Sequence, residues 1–355
     1  MIRVFILVVL AIVIQPTYAQ LNFSESNKVS NTLLDEMVSK IENGDYENIT
    51  SVLIAKEGKL VFEHYFNGAS QSTKHNTRSS TKTIATLLTG IAITQGFIKS
   101  EEDLIFEYLK PRNPIKNPDV RKEKTTIEDL LTMSSIFECD DSNYFSRGNE
   151  ERMYIVEDWL QFFLDLPVRS YPFGPKPEES PYGRVMSYCS AGAAAVAEVV
   201  QSAVGQSLDE FIQNELFEPL DIKEYELHHT PFGLLNTAGG SEYRSRDLLK
   251  MIQLLAQNGT WNGKKIIEEE WVKKATSVKV NAREGVDYGY LLWMKPFGKD
   301  KKYDAYYMSG NGGQKVLSLR EKEVTVVITT TNYGNRKAHG YTDELMNDFI
   351  VPSLD

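Results

Sequence analysis

The apolar positions of this chain change their period along its length, and each change marks an element. Leu33, Leu34, Met37, Val38 and Ile41 fall at helical spacing, so a helix is expected over Leu33 to Ile41. Two β-rich runs follow, Ile49 to Ala55 and Leu60 to Phe66. The tight connection Lys56-Glu57-Gly58 joins them, which predicts a hairpin. From Thr81 to Ile98 the pattern is neither alternating nor one-sided, because Ile84, Leu87, Leu88, Ile91, Ala92 and Ile93 leave almost no polar face. A helix of that kind belongs at the centre of a protein, packed on all sides.

Between Glu101 and Leu220 the pattern is mainly helical, clearest at Thr126 to Leu131, Glu151 to Leu166 and Ala191 to Ala203. Pro111, Pro114, Pro118, Pro172, Pro175, Pro177 and Pro181 cut it into short units joined by long loops. After the Gly239-Gly240 turn a helix is expected over Arg246 to Gln257. Strands follow at Tyr288 to Met294, Tyr303 to Met308, Lys315 to Leu319 and Val324 to Thr329. A closing helix is expected near Tyr341, with Thr342 as its cap. Strands and a helix at each end of a helical block predict an α+β fold: an antiparallel sheet completed by both termini, flanked by helices, with an inserted mainly helical subdomain. One domain over 20–355 is expected, its α/β part at about 30–100 and 230–355 and its helical part at about 101–229. The cleft between the two layers is the natural place for chemistry.

The N-terminus reads differently. After Arg3, Val4 to Ile14 is an unbroken apolar run, and Pro16-Thr17-Tyr18-Ala19 ends it, as in a signal peptide of residues 1–19 cut after Ala19. The other reading is an uncleaved anchor, but eleven apolar residues fall short of the roughly 20 that a membrane span needs. A secreted or periplasmic protein without stable membrane insertion after cleavage is expected. Losing Arg3 with that segment takes the formal net charge from −10 to −11. An acidic chain without a basic stretch argues against nucleic acid and anionic membrane surfaces as partners. Nothing in the pattern specifies an oligomeric state.

Export also changes what two cysteines can do. Cys139 and Cys189 are either buried thiols or a disulfide pair, since an oxidising compartment permits the bond. Neither lies in a CxxC or Cys/His cluster, and the five histidines show no metal-ligand spacing, so no metal is expected.

Candidate chemistry begins at Arg78-Ser79-Ser80-Thr81-Lys82, at the start of the apolar helix. A helical offset of three puts the Ser79 hydroxyl and the Lys82 amine on one face. Burial disfavours a charged lysine, which makes Lys82 a candidate base for Ser79, and the free N–H groups of the helix start face any developing negative charge. Ser79 as a helix cap and Lys82 as a first-turn surface lysine is the competing reading. In Ser187-Tyr188-Cys189-Ser190, Tyr188 can offer its phenol to the Ser79–Lys82 pair; alternatively it is a core tyrosine, and Ser190 caps the next helix. In Tyr307-Met308-Ser309-Gly310-Asn311-Gly312-Gly313-Gln314 the glycines let a substrate approach an edge strand closely, and Asn311-Gly312 also suits a hairpin turn.

In this order and behind an export signal, these three elements resemble the serine β-lactamase and penicillin-binding-protein superfamily, whose S-x-x-K element is well known. Within it the chain is most similar to the class C β-lactamase-related branch, which includes esterases, D-aminopeptidases and 6-aminohexanoate-dimer hydrolases. Gly58-Lys59-Leu60-Val61-Phe62-Glu63, Thr126 to Met133, Leu216 to Leu220, Trp261 to Lys264 and Tyr288 to Trp293 carry the likeness further, over about residues 33 to 350. The resemblance implies a β-lactamase/transpeptidase-like fold and acyl transfer without a cofactor. Ser79 is the implied nucleophile, with Lys82 and Tyr188 as its acid-base partners. Ser190, Ser309, Gly310, Asn311, Tyr290 and Trp293 are implied around a small-molecule ester or amide. Two departures stand out: Ser190 replaces the family's asparagine, and Met308 stands where its strand lysine would be, with Lys315 nearby as a substitute. In the superfamily the segments holding Cys139 and Cys189 both border the cleft, so a bridge there would brace the tyrosine loop. A β-lactamase, a D-Ala-D-Ala peptidase and a non-catalytic module binding cell-wall peptides are the alternatives.

Overall fold

Helix α1 (Thr32–Glu42) forms where the spacing puts it, with Asn31 accepting the Leu33 N–H at 3.0 Å as its cap and Leu34, Met37 and Ile41 buried. The computed structural model describes residues 21–23, 31–171 and 175–354; the expected signal peptide lies outside them. Strands β1 (Ile49–Lys56) and β2 (Lys59–Tyr65) form the expected hairpin. Glu57 and Gly58 turn it with φ of 50° and 73°, the left-handed pair that matches strand twist in a two-residue connection.

The remaining strands of the main sheet are β3 (Val280–Arg283), β4 (Val286–Tyr288), β5 (Trp293–Phe297), β6 (Tyr303–Gly310), β7 (Gln314–Leu319) and β8 (Val324–Thr330). The eight strands lie in the order β2-β1-β8-β7-β6-β5-β4-β3, all antiparallel, so β8 from the end of the chain pairs with β1 from its beginning. Strands β7 and β8 are buried at every position, which requires cover on both faces. Side chains alternate accordingly. Ile54, Tyr307, Leu317 and Val326 meet α1 and the C-terminal helices, whereas Leu53, Met308, Val316 and Val327 meet helix α2 (Lys82–Thr94), α3 (Ser190–Val204) and α4 (Ser245–Ala256). Helix α2 is buried from Lys82 to Ala92, as its lack of a polar face requires. A separate three-stranded sheet is made of Lys74–Asn76, Glu242–Arg244 and Tyr225–Glu226, with Glu242–Arg244 in the middle.

Three expected elements differ. Glu151 to Leu166 is not one helix but two, Glu150–Met153 and Trp159–Asp165, because Asp158 restarts the chain by accepting the Gln161 N–H at 2.9 Å. The closing helix α5 (Ala338–Glu344) begins earlier than Tyr341, and Thr342 lies inside it rather than at its cap. Tyr288 to Met294 is not one strand, since residues 289–292 turn between β4 and β5 and dock on α2. There Thr83 Oγ1 donates to Leu291 O at 2.8 Å and Thr86 Oγ1 to Tyr290 O at 2.7 Å. Those threonines satisfy carbonyls that a strand neighbour would otherwise take.

Candidate active site

Ser79 lies on a single 3₁₀ turn, Arg78–Thr81, that leads into α2. The preceding residue, Arg78, has φ 49°, a conformation costing a non-glycine residue roughly 1–2 kcal/mol. Surrounding contacts hold it there. The Arg78 N–H donates to Asn76 Oδ1 at 3.1 Å, Gly240 N donates to Arg78 O at 3.3 Å, and the guanidinium sits 4.1 Å from the Tyr333 ring centre. The strain is thus stored immediately before the candidate nucleophile.

Lys82 is 1 % exposed. Its Nζ donates to Ser79 Oγ at 3.2 Å and to Ala238 O at 2.5 Å, and it lies 5.1 Å from the centre of the Tyr188 ring. A buried amine left without a partner would cost about 1–3 kcal/mol, and the Ala238 carbonyl meets that demand. Asn236 fixes the carbonyl's loop, taking the Ala238 N–H at 2.8 Å on its oxygen and donating to Gly239 O at 2.9 Å.

The Tyr188 segment is tied to residues 133–141 at several points. Ser187 N donates to Met133 O at 2.7 Å, Ser187 Oγ to Cys139 O at 2.5 Å, and Asp141 N to Tyr188 O at 2.8 Å. Cys139 and Cys189 form a disulfide, so of the two readings of the cysteines the bridge holds, and it joins the same two segments. The Tyr188 ring stacks on Trp293, with ring centres 5.7 Å apart and planes at 24°.

The third wall is the end of β6. Strand β5 pairs with β6 only as far as Tyr307 opposite Trp293, so Met308, Ser309 and Gly310 run on past their neighbour and present an edge. Gly310 is pressed against the nucleophile's turn: a Cβ there would stand 2.2 Å from Thr77 O and 3.1 Å from Ser80 Oγ. Asn311 is exposed and accepts the Gly334 N–H at 2.7 Å. Among the described residues, no group of three or more His, Cys, Asp or Glu side chains converges as a metal site requires.

The family model described as Beta-lactamase matches residues 48–348. The chain belongs to the Beta-lactamase family. Solved structures of similar fold include a candidate beta-lactamase from Bacteroides dorei (17 % identity, 91 % of this chain and 98 % of that one, TM-score 0.70). A candidate 6-aminohexanoate-dimer hydrolase from Bacillus anthracis is also similar (19 % identity, 90 % and 81 % covered, TM-score 0.66). So is a D-stereospecific amidohydrolase from Streptomyces sp. (14 % identity, 87 % and 96 % covered, TM-score 0.64). No curated protein matches the chain by sequence.

Within this Beta-lactamase fold Ser79, Lys82, Tyr188 and Trp293 come together, and the Ser309–Asn311 edge abuts the turn that carries Ser79. Two expected substrate-binding residues are engaged elsewhere. Tyr290 is fully buried and donates its hydroxyl to Glu128 Oε1 at 2.6 Å, because its turn packs under α2. Ser190 is also fully buried and donates its hydroxyl to Glu150 Oε2 at 3.0 Å. Lys315 is no substitute for a strand lysine: it binds Thr342 Oγ1 at 2.9 Å and Asp343 Oδ1 at 2.5 Å, and burial pushes it down to about 8 against the pull of Asp343. The backbone of Met308 belongs to the β6 edge, but its side chain is buried in the core. The sequence reading missed the Ala238 carbonyl, which carries no side-chain signal, and the carboxylates of Asp141, in the loop after Cys139, and Glu150, at the start of the helix that follows.

Proposed function

We propose that this Beta-lactamase-family chain is a serine hydrolase that cleaves an ester or amide bond through a covalent acyl-enzyme on Ser79. The contact between Ser79 Oγ and a buried Lys82 Nζ, roofed by the Tyr188 ring, carries this reading. A purely structural lysine has no need of a half-buried serine hydroxyl at a cleft edge. Ser79 Oγ bonds to the substrate carbonyl carbon while its one proton passes to the neutral Lys82 amine, with the Tyr188 phenol relaying it onward to the leaving group. The oxyanion is held by the Ser79 N–H and an N–H of the Gly310–Asn311 segment. Collapse breaks the carbonyl–leaving-group bond, and the departing alcohol or amine takes the proton. Water then adds to the acyl carbon and Ser79 leaves as its hydroxyl. We place the protein outside the cytoplasm, secreted or periplasmic, in keeping with the Cys139–Cys189 disulfide. Its partner is a small-molecule ester or amide.

For the substrate we propose a short neutral ester or amide. A substrate carboxylate needs a cation to pair with; Met308 is buried, and the Lys315 ammonium is engaged by Asp343. The stacked Tyr188 and Trp293 rings supply apolar surface instead. One observation favours the alternative β-lactamase or D-Ala-D-Ala peptidase reading: Arg283 is exposed and lies 5.3 Å from the Trp293 ring centre, a cation at the rim. Comparing kcat/KM for p-nitrophenyl butyrate and nitrocefin separates the two. The ester should be preferred. A preference for nitrocefin of tenfold or more, about 1.4 kcal/mol of transition-state stabilisation, would put Arg283 in the role of carboxylate partner and replace the neutral-substrate reading.

A further inference from the structure

The loop of residues 140–150 brings two carboxylates to the start of α3, beside the Lys82–Tyr188 pair. Asp141 uses both oxygens, Oδ2 accepting the Ser190 N–H at 2.8 Å and Oδ1 the Glu150 N–H at 3.0 Å. Its own N–H donates to Tyr188 O at 2.8 Å. Glu150 Oε2 accepts from the Ser190 hydroxyl at 3.0 Å and the Tyr154 hydroxyl at 3.3 Å. Asn149 Nδ2 closes the loop on the carbonyls of Asp141 at 3.0 Å and Asn143 at 3.2 Å. Asp141 thus ties the Tyr188 segment, the first turn of α3 and the start of the helix Glu150–Met153 to one another.

We propose that Asp141 is a positioning residue of the Ser79 reaction that acts in its ionised form, joining the Tyr188 segment to the first turn of α3. The role rests on the acyl-enzyme reading of Ser79. The ionisable groups around Asp141 are Glu150 and Tyr154 from the helix Glu150–Met153 and the residue after it, and Lys82 from α2; the Ser190 N–H reaches it from α3. Burial first, then the Glu150 carboxylate, push Asp141 up to about 6, against the pull of Lys82 and the Ser190 N–H. Protonation removes the negative charge that the Ser190 and Glu150 N–H groups face. It also puts a hydrogen on an oxygen that now receives a backbone N–H. Both changes loosen the setting of Tyr188, so turnover falls as pH drops through this ionisation.

The test is kcat and KM for p-nitrophenyl butyrate from pH 4.5 to 8 on wild type, Asp141→Asn and Glu150→Gln, with circular dichroism melts to set the range in which each is folded. Wild type should show an acid limb in kcat with a midpoint near 6. Glu150→Gln removes a like charge, so its midpoint should move to lower pH. Asp141→Asn should lose the limb and keep a kcat lowered about tenfold or more, with KM changed far less. A residue that only packs the loop would lower stability without moving the limb. An Asp141→Asn protein that keeps the wild-type midpoint, or a Glu150→Gln midpoint that does not move, overturns the role of Asp141 alone. A folded wild type with no turnover of any ester or amide overturns the acyl-enzyme reading, and the role of Asp141 with it.

Discussion

Lys82→Ala should lower kcat by about 10²- to 10⁴-fold, the range for a general acid-base group, with KM changed far less. Lys82 Nζ is 3.2 Å from Ser79 Oγ, so the substitution removes the nearest amine that, in its neutral form, can take the hydroxyl proton as the carbonyl is attacked. It also leaves the buried Ala238 carbonyl without its donor, a stability cost of about 1–3 kcal/mol that should show in the melting temperature. Tyr188→Phe separates these effects. The phenylalanine ring still stacks on Trp293 and still lies against Lys82, so fold and substrate binding should persist while kcat falls over a similar range. Steady-state kinetics with p-nitrophenyl butyrate on both variants, beside melts, give the answer. Near-full kcat in Tyr188→Phe would make Tyr188 a packing residue.

A second large effect is expected from one methyl group. Gly310→Ala places a Cβ 2.2 Å from Thr77 O, closer than any real contact, and the obstacle is backbone rather than a side chain that can swing aside. Thr77 cannot easily retreat, because its N–H is held on Ser241 O at 3.1 Å. The β6 edge must therefore move away from the turn that carries Ser79. Displacements of about 1 Å between reacting parts cost on the order of 10²-fold, so kcat/KM should fall by at least that much. Gly340→Ala is the control: no atom lies within 4 Å of the added Cβ, and activity should stay within about twofold, in the range of a surface change away from such features. Wild-type kinetics and melting in Gly310→Ala would mean that the edge and the turn are not held in register.

How far the sequence leads depends on what kind of group carries the signal. The burial of Lys82 follows from its leading directly into a helix with no polar face, and the closure of the sheet by β1 and β8 follows from strand patterns at both ends. Tyr290 misleads because an apolar run without alternation reads as strand, whereas Thr83 and Thr86 on α2 satisfy its carbonyls and bury it as a turn. Ser190 misleads by position: it follows Tyr188 closely, but the first turn of α3 directs its hydroxyl to Glu150. Asp141 stands among polar loop residues and gains meaning only when the fold brings Glu150 and Lys82 beside it. Ala238 contributes a backbone carbonyl, which no residue pattern announces.

The nucleophile itself is the point on which the rest depends, and its neighbour makes the measurement sharp. Ser80 is 1 % exposed and its Oγ faces Gly310 rather than open space, whereas Ser79 is half-buried with its hydroxyl on Lys82. The folded protein should be treated with a fluorophosphonate and its intact mass and peptides mapped. A single adduct on Ser79, lost in Ser79→Ala and retained in Ser80→Ala, is the expected result. An adduct that survives Ser79→Ala but not Ser80→Ala would contradict the assignment, and a folded wild type that takes no adduct would mark the chain as a binding module of the same fold.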